Sequence, residues 1–266
     1  MSDPTRPSAS PTAPEPRSPG APAVSVVVPA RNEEESLPVL AGEIRDVLGA
    51  AGIAYELVLV DDGSTDRTLE VMLGLAAADP AVRVVRQSPS RGQSAALQAG
   101  WRTARGEVVV TLDADLQNDP ADIPGLLAAL DEGFDVVNGV RMNRQDTWVR
   151  KASSKIANGV RNRLTGDSVT DVGCTLRAAR AELLCDLPMF TGLHRFLPTL
   201  LKLRGARVTE VPVSHRPRRF GATKYGIHNR LWRGIVDLMA VRWMQRRWID
   251  TRDVEELAPR KGSERS

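Results

Sequence analysis

Between Glu107 and Pro120 the sequence reads EVVVTLDADLQNDP, an apolar run that stops at Asp113, Asp115 and Gln117 and is closed by a proline. If the run is a buried strand, residues at i, i+2 and i+4 leave it on one side, and three oxygen-bearing side chains aim at one point. Hard oxygen donors of this kind suit Mg2+ or Mn2+. Two carboxylates offset the charge of one divalent ion and leave positions open for water or for the phosphates of a nucleotide. A bare D-x-D also occurs in solvated acidic loops, so the surrounding elements must decide between the two readings.

Those elements are legible. Apolar, mainly β-branched runs at Val24–Val28, Tyr55–Val60, Val82–Val85, Glu107–Leu112 and Phe134–Val137 alternate with Ala-, Leu- or Glu-rich segments at Glu33–Ala50, Asp66–Ala78, Ser94–Ala104 and Ala121–Leu130. Strand–helix alternation predicts an α/β fold, a doubly wound and mostly parallel sheet with ligands at the carboxyl ends of its strands. The polar clusters fall there: Pro29-Ala30-Arg31-Asn32-Glu33 after the first strand, Asp61–Asp66 after the second and Asp113–Asp115 after the fourth, all on one rim. No G-x-G-x-x-G follows a strand and no G-x-x-x-x-G-K occurs, which argues against dehydrogenase-type dinucleotide binding and a Walker-type phosphate loop.

Past Arg141 the alternation stops. Trp148–Leu164 reads as a basic helix, Gly173–Leu176 as a strand, Glu182–Leu187 and Leu193–Leu203 as helices, and Ala206–Val213 as a strand. The stretch His215–Gly226 is too rich in Pro, Gly and Arg for regular structure, and a long helix, about Tyr225–Trp248, follows.

The chain has 266 residues, 42% hydrophobic and 26% charged, enough for one generous core. Residues 1–23 hold seven prolines and no large apolar side chain, and are expected to be a disordered tail without the apolar segment of a signal peptide. Residues 250–266 read as a charged tail. Between them lie an expected catalytic domain at 24–225 and a helix at 226–249. Cys174 and Cys185, in segments read as strand and helix, have no metal-type spacing and suit a reduced, cytoplasmic setting. No uncharged apolar stretch reaches eighteen residues. Net charge is +3, yet basic residues dominate from Arg195 to Arg247, among Trp232, Trp243 and Trp248. That mixture suits an anionic membrane surface.

In chain order, VVVPARNEEESL, VDDGSTDRT, RGQSAALQAG, DADLQNDP, DVGCTLRA and RFGATKYG resemble the motifs of family 2 glycosyltransferases, which have the GT-A nucleotide-sugar fold. DADLQ and the basic stretch Arg218–Lys224 resemble the branch that glycosylates dolichyl or bacterial polyprenyl phosphates, including the aminoarabinose-transferring enzymes. Thr223 stands where that branch usually has serine and keeps the hydroxyl.

The resemblance implies roles by position. Pro29, Arg31, Glu33, Asp61, Asp62 and Ala114 would line the donor nucleotide. Asp113, Asp115 and Gln117 would hold the metal that bridges its diphosphate, with Asp113 and Asp115 also counted as catalytic. Arg141, Arg150 and Ser154 would receive the lipid phosphate, Arg218 and Lys224, also counted as catalytic, would close over both sets of phosphates, and Asp171 would lie on the sugar side. Asp61–Asp66 also reads as a capped turn with Thr65 or Asp66 as N-cap, and the two readings are compatible. Gly173 and Cys174 read as packing residues.

A phosphate acceptor is mostly deprotonated at neutral pH and needs no strong general base, which fits a chain with three histidines of which only His215 lies near a motif. The expected reaction is a single inverting displacement that uses a nucleotide-sugar, GDP-mannose or a UDP-sugar, and Mg2+ or Mn2+. The expected partners are polyprenyl phosphate, a membrane surface and a separate membrane-spanning protein, with no nucleic acid, at the cytoplasmic face of the membrane. In the final helix the adjacent stripes Ile227, Leu231, Ile235, Leu238 and Trp232, Val236, Met239, Trp243, flanked by arginines, fit either packing on the domain or interfacial docking. Two other functions compete: transfer to a soluble or polysaccharide acceptor, and a non-catalytic basic membrane-binding role. Gln245-Arg246-Arg247-Trp248 is one residue short of the Q-x-x-R-W of processive synthases.

Overall fold

The computed structural model describes residues 22–142, 159, 161–184, 187, 188, 190–220 and 228–249. Both expected tails, apart from Pro22 and Ala23, therefore lie outside the described residues. So do Arg150, Ser154, Lys224 and Cys185.

The N-terminal half alternates as the apolar runs require. Strand β1 (Val24–Ala30) leads to α1 (Leu37–Ala50), β2 (Tyr55–Asp62), α2 (Thr68–Ala78), β3 (Val82–Gln87), α3 (Gln93–Thr103), β4 (Val108–Thr111), α4 (Ile123–Asp131) and β5 (Val136–Arg141). After β5 come helical residues 161–165, β6 (Arg177–Arg180), a 3-10 turn at Leu193–Phe196, α5 (Leu197–Leu203), β7 (Val208–Val213) and α6 (His228–Arg247).

The seven strands form one sheet in the order β3-β2-β1-β4-β6-β5-β7, in which β6 alone runs against its neighbours. The expected mostly parallel, doubly wound sheet is therefore present. Its strand order reverses at β1: the chain moves outward to β3 and then returns to place β4 on the other side of β1. A crevice opens at such a switch point beyond the carboxyl ends of the strands, and here it lies between the Arg31–Glu33 turn and the Asp113–Gln117 turn.

Both faces of the sheet are covered. Leu37, Leu40, Ile44 and Leu48 of α1 pack on one face with Met72, Ile123, Leu126 and Leu130. Ala96, Leu97 and Trp101 of α3 pack on the other with Leu193, Leu197, Leu200 and Leu201. This two-sided burial explains why β1 and β2 read as continuous apolar runs.

Several boundaries differ from those expected, each for a local reason. The helix expected from Glu33 starts at Leu37, because Asn32 adopts a left-handed φ of 55° and Pro38 occupies the first turn, where its missing N–H costs nothing. The strand expected at Gly173–Leu176 lies at Arg177–Arg180 instead. Asp171 Oδ1 accepts from Gly173 N at 3.1 Å and curls the intervening residues, so Cys174 sits in a turn. Neither alanine-rich composition nor flanking arginines mark β6 as a strand; position between β4 and β5 makes it one. Of the helix expected at Glu182–Leu187 the described residues show a 3-10 turn at Ala181–Leu183, and Leu193–Leu203 is divided at Leu197 where Pro198 enters the first turn of α5.

Candidate active site

The three polar clusters share one rim and are tied to one another. Asn32, in the turn after β1, donates its backbone N–H to Ser64 Oγ at 3.1 Å and accepts from Thr65 N at 2.8 Å, joining the first cluster to the second. Glu33 N donates to Thr68 Oγ1 at 2.8 Å, and its carboxylate accepts from Ser36 Oγ at 2.9 Å. Pro29 lies in β1 and Arg31 is exposed beside the crevice. Asp66 Oδ1 accepts from Thr68 N at 3.0 Å and tightens the turn, but the N-cap of α2 is Arg67 rather than the expected Thr65 or Asp66, because the helix starts at Thr68.

Asp61 and Asp62 are both buried. Asp61 Oδ1 accepts from Ser64 N at 3.0 Å, while Asp62 accepts from Gln87, Ser90 Oγ, Arg91 N and Gly92 N and so holds the loop before α3. Asp62 thus organises the pocket wall. Ala114 is packed into the core, with only 3% of its surface exposed.

The acidic loop corrects one expectation. Strand β4 ends at Thr111, and Asp113, Asp115 and Gln117 are presented by a turn rather than by a strand continuing on one side. The turn is forced by Leu116, whose side chain is buried in the core while its backbone takes a φ of 61°. A left-handed leucine costs roughly 1–2 kcal/mol and persists only where its surroundings over-determine it.

Asp113 is half-buried, and Gln93 Nε2 donates to its Oδ1 at 2.7 Å. Burial, and then the nearby Asp115, push its carboxyl up to about 6 against the opposing influence of Thr175, Arg177 and Arg218. Asp115 Oδ2 accepts from the Arg218 guanidinium at 2.5 Å, and its Oδ1 accepts from Gln117 N at 3.2 Å.

The oxygen donor set fits a hard divalent cation, and the guanidinium on Asp115 shows that this carboxylate already receives a positive charge. Among the described residues no three His, Cys, Asp or Glu side chains converge on a metal position. Asp113, Asp115 and the amide oxygen of Gln117 would therefore supply part of a coordination sphere and leave the rest to phosphate and water.

The basic segment is anchored against this loop. Asn118 and His215 form an antiparallel bridge, Arg216 N donates to Gln117 O at 2.9 Å, and the Arg216 side chain pairs with Asp119 at 2.6 Å and Glu43 at 2.7 Å. Arg218 therefore reaches the acidic loop. Arg141, at the end of β5, makes a bidentate pair with Asp171, at 2.8 Å and 2.9 Å. The two residues assigned to the acceptor phosphate and to the sugar side are thus brought together, and Asp171 already balances the guanidinium charge.

Four residues of this region went unassigned on sequence: Gln93, Thr175, Arg177 and His194. Together with Trp101 and Asp113 they line a small pocket behind the acidic loop. Arg177 is buried and donates to Cys174 O at 2.6 Å and His194 O at 3.1 Å, which places a cation beneath Asp113. His194 Nδ1 lies 2.8 Å from Ser94 Oγ, and burial, followed by Arg195 and Arg177, lowers its imidazolium to about 3. His194 therefore lines the same pocket as Asp113. Burial also raises the Cys174 thiol to about 11, in keeping with a packing role. Gln93, Thr175 and Arg177 all lie inside motif blocks; only the sheet register, which pairs Thr111 with Arg177, shows which of those residues turn inward.

A two-sided, mostly parallel sheet with an acidic loop and a basic segment at its switch point is the architecture of nucleotide-dependent transferases of the GT-A type. The chain belongs to glycosyl transferase family 2, whose model matches residues 25–187. It is 43% identical over 206 residues to an undecaprenyl-phosphate 4-deoxy-4-formamido-L-arabinose transferase of Edwardsiella ictaluri, a match covering 77% of this chain and 63% of that protein. The chain thus spans somewhat under two thirds of the length of this relative.

Among solved structures, glucosyl-3-phosphoglycerate synthase from Mycobacterium tuberculosis in complex with Mn2+, UDP and phosphoglyceric acid superposes with a TM-score of 0.64 at 22% identity, covering 86% of this chain and 80% of that one. Mannosyl-3-phosphoglycerate synthase from Rubrobacter xylanophilus gives a TM-score of 0.66 at 21% identity, covering 87% and 77%. At these identities the two structures establish the fold.

Proposed function

We propose that this protein transfers a sugar from a nucleotide-sugar, GDP-mannose or a UDP-sugar, to a polyprenyl phosphate with inversion at the anomeric carbon, working at the cytoplasmic face of a membrane. The observation that carries this reading is the 43% identity, over 77% of the chain, to a relative named for transfer onto undecaprenyl phosphate. The site's chemistry agrees with it. His194 is half-buried and neutral, engaged with Ser94, and a phosphate acceptor needs no base because it arrives as an anion.

Mg2+ or Mn2+ held at Asp113, Asp115 and Gln117 would neutralise the diphosphate as it leaves. Pro29, Arg31, Glu33, Asp61 and Asp62 wall the nucleotide side of the crevice. Arg218 stands beside the acidic loop, where its charge favours the phosphates over water, and Lys224 belongs to the same basic stretch. Arg141, Arg150 and Ser154 are assigned to the acceptor phosphate. Arg141 would exchange some of its bonds to Asp171 for that phosphate, which leaves Asp171 on the sugar side. Most of the rate enhancement comes from positioning and fixed charge.

The test is transfer from radiolabelled GDP- and UDP-sugars to undecaprenyl phosphate in detergent, with Mn2+, Mg2+ or EDTA. Metal-dependent label in the lipid extract is expected, and it names the donor. Label that stays in the aqueous phase on a soluble acceptor would overturn the lipid assignment.

A further inference from the structure

The acidic loop is held at both ends by one residue of a different motif. Thr111, the last residue of β4, donates its hydroxyl to Thr175 O at 3.1 Å, and Asn118, just past the loop, donates its side-chain amide to Thr175 Oγ1 at 2.9 Å. Residues 112–117, with the left-handed Leu116 among them, are thus bracketed by two bonds to position 175. Asn118 is only 4% exposed. Its backbone also forms the bridge to His215, next to the bond from Arg216 N to Gln117 O. One residue therefore joins the acidic loop, the turn before β6 and the start of the basic segment that ends at Arg218.

We propose that Asn118, through its bond to Thr175, is a positioning residue that keeps the acidic loop in its cation-receiving shape and sets the basic segment in register against it. Without the bond, the burial of Leu116 and Pro120 still fixes the path of the loop, but its C-terminal end loses its polar tie to the turn before β6, and Asp115 is held less firmly toward the point where cation and diphosphate meet. The inference rests on the metal-loop reading of the proposed function.

The test is calorimetric titration of the full chain with UDP or GDP in the presence of Mn2+, alongside thermal melts. Asn118→Asp keeps the volume but cannot donate, and Thr175→Val removes the acceptor. Each should weaken diphosphate binding by about tenfold or more, the usual consequence of losing a partner that orients a metal ligand. The double variant should be no weaker than Thr175→Val alone, which already loses the Asn118 bond together with the bond of the Thr175 hydroxyl to Asp113. Thr175→Ser, which keeps the hydroxyl, should bind as wild type does. Wild-type affinity in Asn118→Asp, or losses that add in the double variant, would overturn the inference while leaving the proposed function standing. Should Thr175→Val fail to fold, Asn118→Asp against Thr175→Ser decides alone. A wild-type chain that binds neither diphosphate with Mn2+ removes the metal-loop reading and the inference with it.

Discussion

Asp115 carries the heaviest chemical demand at the scale of single residues, because its carboxylate meets the Arg218 guanidinium and belongs to the loop proposed to hold the cation. Asp115→Ala should cost several kcal/mol of transition-state stabilisation, on the order of a hundredfold or more in rate, measured as kcat/KM with lipid acceptor; full activity would remove Asp115 from the mechanism. His194 offers a test of the pocket behind it. Its folded value of about 3 lies below the ordinary 6.5, so between those pH values the unfolded chain takes up a proton that the folded chain refuses. Stability from this group is complete above about pH 6.5 and is lost as pH falls toward 3, by up to about 1.4 kcal/mol per pH unit. Melting midpoints from pH 4 to 7 should fall less steeply in His194→Gln than in wild type, and parallel curves would refute the assignment. Asp113, Asp115 and Arg218 were legible in the sequence because acidic and basic chemistry is written in residue type. Gln93 and His194 were not, since a glutamine opening a helix and a histidine far from every motif acquire their meaning only when α3 and the Leu193–Phe196 turn meet behind β4.

At the scale of elements, the crevice depends on how closely α3 lies on the sheet. Gly100 makes that approach possible: a Cβ there would stand 2.3 Å from Val27 Cγ1 and 3.1 Å from Val60 Cγ2, both on fully buried β-branched side chains with no room to retreat. Gly100→Ala should therefore destabilise the fold by about 1–3 kcal/mol despite the better helix propensity of alanine, a loss readable in a urea titration. It should also weaken nucleotide binding, because α3 carries Gln93 to Asp113 and its N-terminal loop is held by Asp62. An unchanged urea midpoint would mean that the helix can lift away freely. Strands β1, β2 and β4 were legible because two-sided burial writes them as apolar, mainly β-branched runs, whereas β3 is only partly buried and the expected run Phe134–Val137 meets β5 only at Val136 and Val137, since β5 continues through Asn138 and Gly139 by pairing with β7. Strand β6 was not: Arg177–Arg180 has no strand composition, and its conformation comes from pairing with β4 and β5, strands contiguous neither with it nor with each other. The acidic loop failed in the opposite way, since a turn imposed by a buried Leu116 looks on paper like the continuation of β4.

At the scale of the whole molecule, uneven charge and α6 bear on where the protein works. Among the described residues no helix is long and apolar enough to cross a membrane. Helix α6 is docked along one edge, where Val241 is buried, Met244 packs on the core below α3, and Gln245 Nε2 donates to Thr165 O at 2.6 Å. Its other edge is bare: Met239 and Trp243 are 70% and 65% exposed, with Arg242, Arg246 and Arg247 exposed beside them. The sequence stripes offered packing or interfacial docking, and the helix has a surface for each. An apolar edge lined with arginines is suited to the headgroup boundary of an anionic bilayer, where tryptophan sits at the interface and each basic residue contributes about 1 kcal/mol that salt weakens. Wild-type protein should float with vesicles of phosphatidylglycerol and phosphatidylcholine, less so in high salt. The pair Met239→Glu and Trp243→Glu should abolish flotation and leave the melting midpoint within a degree or two, because neither side chain contributes to the core. Loss of flotation together with a large fall in melting midpoint would mean that these side chains support the domain; equal flotation of variant and wild type would place the membrane contact elsewhere on the molecule.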